Sequence, residues 1–243
     1  MPQPLIVVLL ALIPAASNFL GGLLAEVRKV SSATLSAALH VAVGIVVAVV
    51  GLEVMPRALE VSPAWVPMLA FIAGAGLFLG IDAATEWLQQ RGGGGGGRAW
   101  AVYGGVGVDL FSDGVLIGTG SVVNPALGVL LALGQAPADL PEGFAASATL
   151  RQAGVRRSQR ILAGAGFAVP ILVGAAVGYF ALRGAPELVT LSVLAFTGGA
   201  LLSVALEEML PQAHDEASGR RDAFYIVAGF VVFAAVSTYL PAG

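Results

Sequence analysis

Eight apolar stretches follow one another along this chain, and each is long enough to cross a lipid bilayer as a helix. They run over residues 4–26, 33–55, 63–86, 99–121, 126–150, 158–182, 188–211 and 223–241. Only 11% of the residues are charged, against roughly 25% in soluble domains. Since the stretches are rich in alanine, valine, leucine and glycine, the sequence predicts an all-α polytopic membrane bundle of eight transmembrane helices.

The connections between the stretches are short, so we expect residues 1–243 to form a single membrane domain. The segment RGGGGGGR at residues 91–98 is predicted to be a flexible linker. The first stretch lacks a basic start and stays apolar up to Glu26, which favours a span over a signal peptide. There is no cysteine, which excludes disulfides and thiolate metal sites. The expected partners include the lipid bilayer and no nucleic acid.

The basic residues are distributed unevenly over the two ends of the predicted bundle. Of the 12 Lys and Arg residues, only Arg57 and Arg183 lie at one end. The others lie at the opposite end and are Arg28, Lys29, Arg91, Arg98, Arg151, Arg156, Arg157, Arg160, Arg220 and Arg221. Because cytoplasmic loops carry the excess of positive charge, the sequence predicts a multi-pass protein of the plasma or inner membrane with both termini outside.

Two similar segments end the second and the seventh stretch. GLEVMPRALE begins at Gly51 and ALEEMLPQAHDE begins at Ala205, and both read Leu-Glu-x-Met followed by proline. The two stretches run in opposite directions in the predicted topology. This echo suggests an inverted repeat, a common construction in transporters, in which the binding site lies at the repeat interface.

Four acidic residues lie within the fourth and fifth stretches, where no Lys or Arg accompanies them. Asp109 and Asp113 share one helix face at a spacing of four, and Asp139 and Glu142 share one at a spacing of three. Four such groups cannot all be ionised and unpaired in a membrane. They share protons, bind a cation, or do not converge. Carboxylates with backbone carbonyls freed by the nearby prolines would form a hard oxygen site for a divalent cation.

The segments SDGVLIG, DLPEGFA and EEMLPQAH, in the context of eight spans, resemble the ZIP (ZRT/IRT-like) family of divalent metal transporters. LPEG at residues 140–143 is the most specific part of this resemblance. The resemblance implies a transporter and not an enzyme, a central pair of helices four and five that holds the transport site, and uptake toward the cytoplasm. It also suggests a homodimer.

The family's fourth helix typically reads His-Asn-x-Pro-Glu-Gly. Here Asp109 takes the place of the histidine and Asp113 that of the glutamate, while Leu110 and Ser112 replace the asparagine and the proline.

In the fifth helix, Ala138 stands where relatives have His or Gln, but Asp139 and Glu142 match. A further glutamate of two-metal relatives is Val169 here. The resemblance therefore implies one ion held by Asp109, Asp113 and Glu142, with Asp139 as a partial ligand or proton carrier.

The transported cation is the substrate, and no resident cofactor is expected. Zinc is the family default, although carboxylate ligands without imidazole suit manganese better. Manganese and ferrous iron follow zinc, and cadmium is a further candidate.

Further candidate metal contacts lie nearer the helix ends. Glu53 would collect cations at an outer entrance, and Glu207 and Glu208 would form an exit route on the cytoplasmic side. His214 would belong to an auxiliary metal site among neighbouring acids, whereas His40 is predicted to be a hydrogen-bonded packing residue.

Two alternatives remain open at this point. The first is a relative that has lost its metal and acts as a proton-linked carrier or scaffold, since the usual histidine and asparagine are absent. The second is an intramembrane aspartyl protease, for which the triplet Pro125-Ala126-Leu127 is present but the glycines before Asp109 are out of register.

Overall fold

The computed structural model describes residues 3–28, 30–91, 95–217 and 219–240, with the backbone alone at 82, 85–91, 95–102 and 216. Within these residues the chain forms eight helical runs, labelled α1 to α8. They are α1 (Gln3–Val27), α2 (Ser32–Ala48, Val49–Val54 and Met55–Ala58), α3 (Trp65–Arg91), α4 (Gly95–Val123), α5 (Pro125–Gln152), α6 (Arg157–Gly166 and Ala168–Leu182), α7 (Glu187–Val204, Ala205–Met209 and Leu210–Glu216) and α8 (Asp222–Tyr239). The predicted all-α bundle is confirmed.

The predicted glycine linker of residues 91–98 is shorter in the structure. The helix α3 ends at Arg91 and α4 begins at Gly95, while residues 92–94 lie outside the described part of the chain. The next connection is a single residue, because Asn124 caps α5 by accepting a hydrogen bond from the backbone N–H of Ala126 at 2.8 Å. This cap and Pro125 at the first helical position begin α5 immediately after α4 ends.

Among the described residues, six helices are long and apolar enough to cross a membrane. They are Gln3–Val27, Ser32–Ala58, Tyr103–Val123, Arg157–Leu182, Glu187–Asp215 and Asp222–Tyr239, and α3 adds a shorter apolar segment, Trp65–Ile81. The helix α5 is not among the six, since glutamine, acidic residues and prolines interrupt its apolar sequence. Large apolar side chains on the outer helix faces are exposed, as expected of a surface in contact with lipid.

The helices pack in a pattern that repeats between the two halves of the chain. The helix α1 packs along α5 as α6 packs along α4, and α3 packs along α7 as α8 packs along α2. Helices α1, α2 and α3 of the first half correspond to α6, α7 and α8 of the second, and α4 corresponds to α5. Replacing each helix by its counterpart gives the same four packed pairs. Since equivalent helices are an odd number of spans apart, the two halves run in opposite directions, which agrees with the predicted inverted repeat.

In each of these four helix pairs, at least one glycine from each helix lies against the backbone of its partner. A Cβ atom at any of these glycines would lie 1.9–2.1 Å from a backbone carbonyl oxygen of the partner helix. The pairs are Gly21 with Gly143 (α1–α5), Gly174 with Gly114 (α6–α4), Gly44 with Gly229 (α2–α8) and Gly199 with Gly74 (α7–α3). Close backbone contact at small residues is how helices associate when lipid removes the hydrophobic driving force.

The two similar sequence segments adopt the same irregular conformation. Val49–Val54 and Ala205–Met209 are both π-helical, and each leads into a short α-helix with a proline in its first two positions. Pro56 and Pro211 cannot donate a backbone hydrogen bond, so the carbonyl groups four residues earlier lose their usual partners. The prolines therefore account for the π-helical widening of α2 and α7.

Candidate metal site between α4 and α5

Four acidic side chains converge where α4 packs against α5. Asp109 and Asp113 of α4 are 6% and 2% exposed, Asp139 of α5 is 2% exposed, and Glu142 of α5 is partly exposed. The carboxyl groups interact across the interface, with contacts between Asp109 and Glu142 and between Asp113 and Asp139. The structure thus brings together the four residues that the sequence places on these two helices.

The two helices that carry these acids contribute no basic side chain to the group. The sequence from residue 99 to residue 150 contains no Lys, Arg or His. Like charges repel one another strongly in a medium of low dielectric constant. The cluster therefore needs protons or a bound cation to remain in place.

Gln135 is a member of the cluster that the sequence analysis missed. It is fully buried in α5, and its side-chain amide donates a hydrogen bond to Oδ1 of Asp113. Its position could have been found from spacing, because residues four apart share one helix face and Gln135 precedes Asp139 by four.

Three buried oxygen atoms in this group have no hydrogen-bond partner among the described residues. They are Oδ1 of Asp109, Oδ2 of Asp139 and Oε1 of Gln135. Buried polar atoms are normally hydrogen-bonded, so oxygens without donors are the lone pairs that a hard divalent cation would use.

The glycines that follow Asp113 and Glu142 fix how α4 and α5 are rotated about their axes. Gly114 follows Asp113 and lies against the backbone of α6, and Gly143 follows Glu142 and lies against the backbone of α1 at Asn18. One residue corresponds to about 100° of helix rotation, so the preceding acid is turned away from that contact and toward the α4–α5 interface. Asn18 is itself buried beside Gly143, and its side-chain amide has no hydrogen-bond partner among the described residues.

A cavity of about 330 Å³ leads away from the acids along α7. Glu142 lies in its wall together with Glu208 and Asp215. Glu208 is close enough to interact electrostatically with both Asp109 and Glu142. The adjacent residue, Glu207, is exposed and does not line the cavity, so the structure separates the two glutamates that the sequence analysis treated together.

The cavity extends toward the end of the bundle that carries the basic loops. At this end Glu26 of α1 forms a bidentate ion pair with Arg160 of α6, with both N–O distances at 2.6 Å. Arg151 of α5 donates a hydrogen bond to the carbonyl oxygen of Ala25 at 2.6 Å. The ends of α1, α5 and α6 are thereby joined through Arg151 and Arg160, two of the basic residues at the end that the sequence predicts to be cytoplasmic.

The remaining candidates lie apart from the four acids. Glu53 is buried in the π-helical part of α2, where it pairs with Arg57 at 3.1 Å and accepts a hydrogen bond from Ser237 of α8. His214 lies near the end of α7 beside His40 and Asp222. Val169, where the family resemblance places a further ligand, is 62% exposed, so α6 offers no ligand at that position.

Comparison with known proteins gives a consistent picture. The family model described as ZIP Zinc transporter matches residues 86–237. Zinc transporter ZIP10 of Homo sapiens and its counterpart in Mus musculus are each 32% identical to this chain over 139 residues, which is 55% of the chain. The match covers 16% of the length of these relatives. The resemblance inferred from the motifs is confirmed, and the protease alternative has no support from it.

Proposed function

Because this chain belongs to the ZIP zinc transporter family, we propose that it transports a divalent metal cation, zinc first, toward the cytoplasm through the acidic site between α4 and α5. Manganese and ferrous iron are the next substrates, and cadmium follows as an ion of similar coordination. The observation that carries the proposal is the set of three buried, unpartnered oxygens on Asp109, Asp139 and Gln135 beside the contacts of Asp113 and Glu142.

The cation replaces its water shell with these oxygens. Asp113 and Glu142 come from equivalent positions of the two halves and hold the ion from opposite sides, while Asp109 supplies a further anionic oxygen. Asp139 is a partial ligand or carries a proton when the ion leaves. A site made of carboxylate and amide oxygens accepts zinc and suits manganese, so the order of preference depends on the cavity and on the ions available.

Release follows the cavity beside α7. Glu208 lies between the acids and the basic end of the bundle and offers the departing ion a second carboxylate. The basic loops mark this end as cytoplasmic by the positive-inside rule, and both termini then lie outside.

The test is uptake by the purified chain in proteoliposomes that contain a metal-sensitive dye, with a panel of zinc, manganese, ferrous iron and cadmium. The parent is compared with Glu142→Gln, which keeps the size of the side chain, and with Glu60→Gln, which changes an exposed glutamate outside the site. We expect Glu142→Gln to abolish uptake and Glu60→Gln to retain it. Equal flux in the parent and Glu142→Gln would refute the site.

A further inference from the structure

Two histidines and an aspartate form a second cluster of metal-ligating groups, away from the four acids. It joins His40 of α2, His214 at the end of α7 and Asp222 at the start of α8, and one ligand atom from each lies within 4.8 Å of the others. None of the three helices involved carries an acid of the α4–α5 site. The chain has 2 histidines, and this cluster contains both.

Both imidazole rings are oriented so that Nε2 is the free nitrogen. Nδ1 of His40 lies 2.8 Å from the carbonyl oxygen of Ser36, and Nδ1 of His214 lies 2.9 Å from that of Leu210. A carbonyl only accepts hydrogen bonds, so Nδ1 is the donor in each ring, and Nε2 is the nitrogen whose lone pair a metal ion would bind. A backbone carbonyl that holds the remote nitrogen is the usual support of a metal-binding histidine.

The buried member of the cluster has an unsatisfied ligand atom. His40 is 0% exposed, and its Nε2 has no hydrogen-bond partner among the described residues. Packing alone does not account for this atom, because a buried ring nitrogen without a partner is costly. The prediction that His40 is a hydrogen-bonded packing residue therefore describes only one of its two nitrogens.

The separations leave room for an ion. Nε2 of His40 and Nε2 of His214 each lie 3.9 Å from Oδ2 of Asp222, which is beyond hydrogen-bond range. Across a tetrahedral zinc ion with bonds of about 2.0–2.2 Å, such atoms lie about 3.3–3.5 Å apart. Each of these two separations would therefore have to shorten by about half an ångström around the ion, and the two imidazole nitrogens lie within 4.8 Å of each other. The backbone N–H of Gly219 already holds the carboxylate of Asp222 at 2.8 Å.

We propose that His40, His214 and Asp222 bind a second divalent cation, of the zinc class, through two imidazole nitrogens and one carboxylate oxygen. The His214 side chain is 48% exposed and provides access, with a fourth position open to water. Leu39 and Asp215, the chain neighbours of His40 and His214, line the cavity that leads from the transport site. An ion in the cluster therefore ties together the walls of α2 and α7 at the inner end of this cavity.

The test uses zinc X-ray absorption and zinc counting on the full chain, purified in detergent with a tag that contains no histidine. Imidazole in the zinc shell reports this cluster alone, since no other histidine exists in the chain. We expect an imidazole signature in the parent, and we expect His214→Ala or Asp222→Asn to lose that signature and one equivalent of zinc. Asp215→Asn, the adjacent exposed acid, is the matched control and keeps both.

The Asp113→Asn/Glu142→Gln double variant separates this proposal from the transport site. It should lose uptake yet keep the imidazole signature. A parent whose zinc shell contains no imidazole, or a His214→Ala variant with an unchanged zinc count and spectrum, would overturn the second site. Because His214 is exposed, its variant is expected to fold, and a single symmetric peak in size-exclusion chromatography verifies this.

Discussion

The side-chain amide of Gln135 donates a hydrogen bond to Asp113 across the interface of α5 and α4, and both side chains are buried. Asp113 is thereby held in one orientation by a group that carries no charge. An uncharged amide can orient a metal-binding carboxylate without replacing the ion as its counter-charge. Hydrogen-bonding groups around metal ligands commonly have this role.

Removal of this amide should weaken metal binding more than folding. Gln135→Met keeps the length of the side chain but loses both polar atoms, so we expect a rise of about 10–100-fold in the zinc concentration that gives half-maximal uptake. Ser121→Ala is the control, because in the described part of the chain the buried Ser121 hydroxyl donates to Ile117 of its own helix and does not contact the acids. An unchanged half-maximal concentration in Gln135→Met would remove Gln135 from the site.

A methyl group at Gly114 should force α4 and α6 apart. The added Cβ would lie 2.1 Å from the carbonyl oxygen of Ile171, and helix backbones cannot yield as a flexible side chain does. We expect Gly114→Ala to cost about 1–3 kcal/mol of stability and to lower uptake. Gly107→Ala on the same helix has nothing within 4 Å of the new atom and should be neutral or slightly stabilising in thermal unfolding. Equal midpoints for the two variants would contradict the close contact.

The two neighbouring glutamates of α7 should behave differently. Glu208→Gln removes a carboxylate from the cavity beside Glu142, so we expect slower uptake at saturating zinc. Glu207→Gln alters an exposed side chain outside the cavity lining and should leave the rate unchanged. The measurement is the initial rate of zinc uptake in proteoliposomes at matched protein density. A rate that falls in Glu207→Gln but not in Glu208→Gln would exclude the release route along α7.

Glu26 should be a stabilising residue and not a transport residue. Its side chain is 4% exposed and faces Arg160, which is 10% exposed, so Glu26→Gln leaves a buried guanidinium without its counter-charge. The expected cost is about 3 kcal/mol, measured as a lower midpoint of thermal unfolding in detergent. Glu60→Gln, which changes an exposed glutamate, should not lower the midpoint. The half-maximal zinc concentration of the surviving Glu26→Gln protein should equal that of the parent.

The sequence by itself determined the helices and the acids of α4 and α5. Apolar length is a property of consecutive residues, and it predicted eight helices, of which six are long and apolar enough in the described part of the chain to cross a membrane. A carboxylate in such a span is conspicuous because the membrane makes it costly. The Leu-Glu-x-Met echo predicted only a repeat, but it coincides with the two π-helical segments, since a proline acts on its own helix.

Only the tertiary structure decided which side chains meet. The hydrogen bond of Gln135 to Asp113, the separation of Glu207 from Glu208 and the pairing of Glu53 with Ser237 all depend on the rotation of one helix against another. That rotation is fixed by contacts between backbones at paired glycines, which no local pattern encodes. Likewise His40, His214 and Asp222 are distant in the chain, and only the packing of α2, α7 and α8 brings their ligand atoms together.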